Sequence, residues 1–163
     1  RSSVVSVPQT EHVFPNLTVE ENLGMGAYIL KGPIDKPLSQ VYEMFPPLLE
    51  KRRQVAGTLS GGQRQMLAMG RALMLSPRVL MLDEPTAGLS PKYAEEIFNL
   101  VKRVNAGGTP VLMVEQNAKQ ALAVSHRGYV LVDGRNRHAG TGRELLAARE
   151  IAETFLGRWT GGG

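Results

Sequence analysis

The chain has 163 residues, 42% of them hydrophobic and 21% charged, which suits one globular domain of ordinary size and excludes a fibrous or low-complexity chain. No apolar run approaches the length of a membrane span, and the absence of cysteine removes any disulfide framework or thiolate metal site, as is compatible with the cytoplasm. The net charge of +4 is spread along the chain, with Lys51-Arg52-Arg53 its only tight run, so it reads as a solvated helix end rather than a nucleic-acid surface.

Val4-Val5-Ser6-Val7 predicts a short strand, cut by Pro8, with Gln9 at its exit. Taken alone, a Gln after a proline is a solvent-facing loop residue. An apolar loop follows at residues 13–17, and Thr18-x-x-Glu21 has the form of a capping box. A helix is expected from there through about Leu30, ended by Gly32-Pro33. Leu38, Val41, Tyr42 and Phe45 recur at i, i+3, i+4 and i+7, so a second amphipathic helix precedes Pro46-Pro47. Residues 10–58 thus form a compact helical insertion.

Two stretches then organise the rest. In Leu59-Ser60-Gly61-Gly62-Gln63, Ser60 and Gln63 have the spacing of another capping box. Gly61 and Gly62 leave first-turn N–H groups uncovered, and with the helix dipole these make an anion site. The helix that follows carries Met66, Met69, Gly70, Leu73 and Met74, whose methionines read as core filler, and Ser76-Pro77 stops it. Val79-Leu80-Met81-Leu82-Asp83-Glu84-Pro85 predicts a buried parallel strand that delivers two carboxylates at its C-terminal end, where open α/β sheets bind ligands. A lone Gly-Gly turn or a lone Asp-Glu-Pro is an ordinary helix start or strand exit. Both together, one helix apart, point to nucleoside triphosphate chemistry.

Ser90 is expected to cap a helix with Pro91 at its first position, carrying the stripe Tyr93, Ile97, Leu100, Val101 and Val104 and ending at Gly107-Gly108. Val111-Leu112-Met113-Val114 predicts another buried strand, and the strand–helix–strand order predicts a parallel sheet. Gln116, just after it, is a neutral amide that donates a hydrogen bond but does not titrate. Tyr129-Val130-Leu131-Val132 with Asp133-Gly134 reads as a strand and hairpin turn. Thr141-x-x-Glu144 caps a short helix, another is expected from about Glu150 to Leu156, and residues 157–163 read as a frayed tail.

These residues resemble the ATP-binding cassette (ABC) family of transport ATPases. Leu59-Ser60-Gly61-Gly62-Gln63 looks like its signature motif, and residues 79–85 look like its Walker B strand and catalytic glutamate. The stretches at residues 13–26, 57–74 and 114–122 resemble the importers of branched-chain amino acids in particular. The resemblance implies an α/β fold with the parallel sheet core of the P-loop NTPases and a helical subdomain. The domain would span residues 1–156, with 10–58 as that subdomain and 59–156 as signature helix, Walker B and C-terminal α/β part. It implies ATP and Mg²⁺ as cofactors. Asp83 and Gln9 would hold Mg²⁺, partly through water, and Glu84 would act as base. Ser60, Gly61, Gly62 and Gln63 would cap phosphates across a head-to-tail dimer of ATPase subunits. Gln9 falls at the Q-loop glutamine, which would also reach the attacking water and sense the membrane subunit. Gln116 takes the place where many members have histidine, and would hold the γ-phosphate or position water. Ser90 stands where most members have aspartate.

The implied partners are membrane-embedded permease subunits and, indirectly, a periplasmic or extracellular substrate-binding protein, with the chain peripheral on the cytoplasmic face of the membrane. Phe14 and His12 are candidates for the permease contact, and Phe14 equally for a staple of the helix it precedes. The phosphate-cradling Gly-x-x-x-x-Gly-Lys-Ser/Thr appears nowhere in the 163 residues. The expectation is therefore a fragment that starts at the Q-loop and is inactive alone. An importer of another small polar substrate (an amide or urea) and a non-catalytic interaction fragment are the alternatives. A DNA-repair ATPase would need a long coiled coil where the proline-broken residues 10–58 stand.

Overall fold

The computed structural model describes residues 4–9, 13–148 and Ile151. The chain divides into two compact units, Arg1–Val114 and Glu115–Gly163, each with its own core.

The first unit is built on three parallel strands in the order β1 (Val4–Val7), β2 (Val79–Asp83) and β3 (Val111–Val114). Val7 pairs with Leu82, and Asp83 pairs with Val114, so the C-terminal ends of all three strands lie at one edge of the layer. Parallel strands need crossovers, and the sequence supplies them. The first contains α1 (Val19–Gly26), α2 (Asp35–Met44), α3 (Pro46–Glu50), a 3₁₀ turn (Ala56–Thr58) and α4 (Gly61–Leu73). The second is α5 (Pro91–Ala106). Phe45, Leu48, Leu67, Met69, Leu80 and Ile97 are fully enclosed in the core between them.

Several expectations need correcting. β2 and β3 are not buried on both faces. Leu80 and Leu82 are buried, whereas Met81, Leu112 and Val114 are 37%, 55% and 60% exposed. Strands covered on one side alternate in burial, as these do. The first helix ends at Gly26, not Leu30. A Cβ at Gly26 would lie 2.4 Å from the Arg71 carbonyl oxygen, so glycine is what lets the last turn of α1 approach α4 this closely. The chain then continues in tight turns, with Ala27, Tyr28 and Leu30 N–H each donating to the carbonyl three residues back. Pro46-Pro47 does not merely end a helix but opens α3, because proline fits the first helical turn. Ser90 is an N-cap by position, with no side-chain cap bond.

Asn22 holds the loop before α1 in shape. Its side chain is fully buried and accepts from Phe14 N–H at 2.8 Å. Its amide donates to the carbonyls of Phe14 and Thr18, both at 2.9 Å. Asn22→Leu removes these bonds and puts an apolar side chain where a fully buried amide stood. It should lower unfolding free energy by roughly 3 kcal/mol, measured by urea denaturation.

The second unit contains α6 (Ala118–Val124), the antiparallel pair β4 (Arg127–Val132) and β5 (Arg135–Thr141), and α7 (Gly142–Ala147). The two-residue turn has Asp133 at φ 49° and Gly134 at φ 70°, the left-handed pair that a tight hairpin requires. Leu122, Leu145 and Ile151 form its core. The expected helix at residues 150–156 lies, apart from Ile151, outside the described residues. So do His12 and the expected tail.

Candidate functional site

The first part of the site is the C-terminal edge of the sheet. β2 ends at Asp83, whose position is exposed, and the chain turns sharply at Glu84. Glu84 has φ 44°, a left-handed conformation that costs a side-chain-bearing residue about 1 kcal/mol. Its surroundings hold it there. Its N–H donates to the Val114 carbonyl at 2.8 Å, and its carbonyl accepts from Ala87 N–H at 3.0 Å. Across 75 residues of sequence, Gln9 Nε2 donates to Glu84 Oε2 at 2.9 Å. The strand register explains the meeting, since β1 delivers Gln9 next to the strand that delivers Glu84.

The second part is the start of α4. Ser60 Oγ accepts from Gln63 N–H at 3.3 Å, and Gln63 Oε1 accepts from Ser60 N–H at 3.1 Å, completing the capping box that the spacing predicts. Arg64 N–H, bonded to the Ser60 carbonyl at 2.9 Å, is the first intrahelical donor. Gly61 and Gly62 therefore lie in the turn whose N–H groups have no partner within the helix. Arg64 Nη1 also donates to the Leu59 carbonyl at 2.6 Å, which fixes the chain entering the cap.

These two parts belong to one unit. Gln116 belongs to the other, where it is exposed, and its carbonyl accepts from Ala118 N–H at 2.8 Å as α6 begins. Phe14 is 41% exposed, and its ring lies under the Arg71 guanidinium at 4.7 Å, on the last turn of α4. Burial pulls the Arg71 guanidinium below the usual arginine range, and the ring face partly offsets that loss of water. Sequence reasoning missed both Asn22 and Arg71. Their partners are set by tertiary packing, and no local spacing announces them.

Among the described residues, no three His, Cys, Asp or Glu side chains converge as a metal cage. Mg²⁺ needs no such cage, since it is held by one or two carboxylates, with water and substrate phosphates supplying the rest. Asp83, beside Glu84 and Gln9, is such a donor set. The first turn of α4 likewise fits a phosphate oxygen.

Residues 1–87 match the family model described as ABC transporter. The chain is 45% identical over 158 residues to the high-affinity branched-chain amino acid transport ATP-binding protein BraG of Pseudomonas aeruginosa, covering 96% of this chain and 68% of that protein. It is also 45% identical over 156 residues to the probable branched-chain amino acid transport ATP-binding protein LivF of Archaeoglobus fulgidus, covering 94% and 66%. The chain thus spans about two thirds of the length of these relatives. Its fold is similar to the ADP conformation of MJ1267, an ATP-binding cassette of an ABC transporter. The TM-score is 0.79 at 28% identity, covering 95% of this chain and 68% of that one. An α/β core on a parallel sheet, a capped glycine turn, and an Asp-Glu pair at the strand ends agree with these likenesses: the chain belongs to the ATP-binding proteins of the ABC transporter family.

Proposed function

We propose that this chain forms part of the ATPase subunit of an ABC importer that energises uptake of branched-chain amino acids. The observation that carries the catalytic reading is the Gln9–Glu84 hydrogen bond, which places an amide and a carboxylate together beside Asp83 at the strand ends. The cargo reading rests on the likeness to BraG and LivF. An ATPase subunit does not touch cargo, so an amide or urea importer would use the same site.

Mg²⁺, when bound, would offset the charge of the triphosphate and of the developing transition state. Asp83 would hold it, mainly through water, and Gln9 would contribute its amide oxygen. Glu84 would accept a hydrogen bond from the attacking water and polarise it. Ser60, Gly61, Gly62 and Gln63 would cap the phosphates bound by a second subunit arranged head to tail. Gln116 would donate a hydrogen bond to a γ-phosphate oxygen or position the water. Membrane permease subunits would be the direct partners, and a substrate-binding protein an indirect one. The chain would sit as a peripheral subunit on the cytoplasmic face of the membrane; no described helix is long and apolar enough to cross one. The 163 residues alone would be inactive, for want of the phosphate-cradling loop.

Leucine uptake by cells lacking their own importer ATPase tests the assignment. A longer protein carrying this chain behind a phosphate-binding loop should restore uptake together with its permease. Restoration of amide or urea uptake only would move the cargo to the alternative.

Gln116 also sets an expected pH response. A glutamine does not titrate, so hydrolysis by such a protein should vary little between about pH 6 and 7.5 for any reason located at this residue. Gln116→His should introduce an ionisation in that range, seen in the pH profile of kcat. Superimposable profiles would remove Gln116 from the γ-phosphate.

A further inference from the structure

The glycines of the cap have a packing reason that is independent of any ligand. A Cβ at Gly62 would lie 2.7 Å from Cδ1, 2.9 Å from Cγ and 3.1 Å from Cβ of Tyr93, in the first turn of α5. The near atoms are the root of the ring, so no swing of its far end would make room. A Cβ at Gly61 would lie 3.3 Å from Leu89 Cδ2. Leu89 and Tyr93 flank the start of α5, only a few residues beyond Glu84. The turn between is tightly folded. Ala87 N–H donates to the Glu84 carbonyl at 3.0 Å, Leu89 N–H donates to the Thr86 carbonyl at 3.2 Å, and Gly88 has φ 70°.

We propose that Tyr93, assisted by Leu89, is a positioning residue for the phosphate cap. Its ring is the floor on which the first turn of α4 rests, and it ties the direction of the Gly61 and Gly62 N–H groups to the turn that carries Glu84. The proposal rests on the reading of residues 60–63 as a phosphate cap. It gives the glycine at position 62 a second cause, because any side chain there would push the helix off Tyr93 and re-aim the donors.

A double-mutant cycle on the 163-residue chain tests it, with Gly62→Ala, Tyr93→Ala and the pair. Gly62→Ala should lower the thermal midpoint by roughly 5 °C, as overpacking does in a chain of this size. With the ring gone the added methyl has space, so the pair should lose clearly less than the sum of the two single losses. Strictly additive losses would overturn the proposal. The second readout is amide exchange at Gln63, whose N–H bonds Ser60 Oγ, against Leu67 in the middle of α4. In Tyr93→Ala, Gln63 should exchange about tenfold faster while Leu67 changes little, and Tyr93→Phe should behave as the parent. A general packing role would speed both amides alike, and that result refutes the idea. Should Gly62→Ala not fold, the exchange comparison in Tyr93→Ala decides by itself. Neither failure bears on Glu84, which ATP turnover tests separately.

Discussion

The 163-residue chain is expected to show no ATP binding in the micromolar range, with or without Mg²⁺, when titrated in a calorimeter. The 163 residues contain no Gly-x-x-x-x-Gly-Lys-Ser/Thr loop, the element that would offer a triphosphate its lysine and backbone donors. Asp83 and Glu84 are both acidic and repel a triphosphate. The cap of α4 offers the pull of one exposed helix terminus, about 0.3–1 kcal/mol. A micromolar complex requires about 8 kcal/mol, so the cap falls short by most of that amount. The sheet adds a second expectation. Among the described residues β1 and β3 are the edge strands of this sheet, and Val4, Leu112 and Val114 are each more than half exposed. Exposed edges and apolar surface favour self-association, so sedimentation should show species larger than the monomer that are indifferent to Mg-ATP. Saturable micromolar binding would show that residues within this chain cradle the phosphates after all.

Features set by neighbours in sequence were legible in the sequence. The capping boxes at Thr18, Ser60 and Thr141 all form, because the side chain and the N–H it caps are three residues apart. The hairpin turn at Asp133-Gly134 was legible for the same local reason, and the parallel order of β2 and β3 from the strand–helix–strand order. Features set by distant residues were not. How closely α1 approaches α4 depends on Gly26 meeting the Arg71 carbonyl, and which face of β2 is covered depends on what packs there. Asn22 looks like any polar helix residue until the loop at Phe14 closes over it.

The candidate site divides in the same way. Asp83 and Glu84 could be read from an apolar run ending in two carboxylates. Gln9 could not, since its chemistry comes from a partner 75 residues away and only the family resemblance singled it out. The glycines of the cap were legible as uncovered N–H groups. Their fit against Tyr93 and Leu89 was not, because the partners lie on another helix and the turn before it.

The largest catalytic effect is expected from Glu84→Gln in a longer protein that joins these residues to a phosphate-binding loop. The substitution keeps the size, and the amide oxygen can still accept from Gln9 Nε2, so the edge of the sheet should keep its shape. On the proposed reading, it removes the carboxylate that would polarise the attacking water. Positioned general bases contribute about 10²–10⁴-fold, so steady-state turnover should fall by at least two orders of magnitude while ATP still binds. With hydrolysis blocked, the closed dimer should accumulate and be visible by size-exclusion chromatography in the presence of ATP. Turnover of ATP by Glu84→Gln is therefore the measurement closest to the central claim. The account predicts bound, unhydrolysed ATP and a stalled dimer; repeated turnover near the parent rate would contradict it.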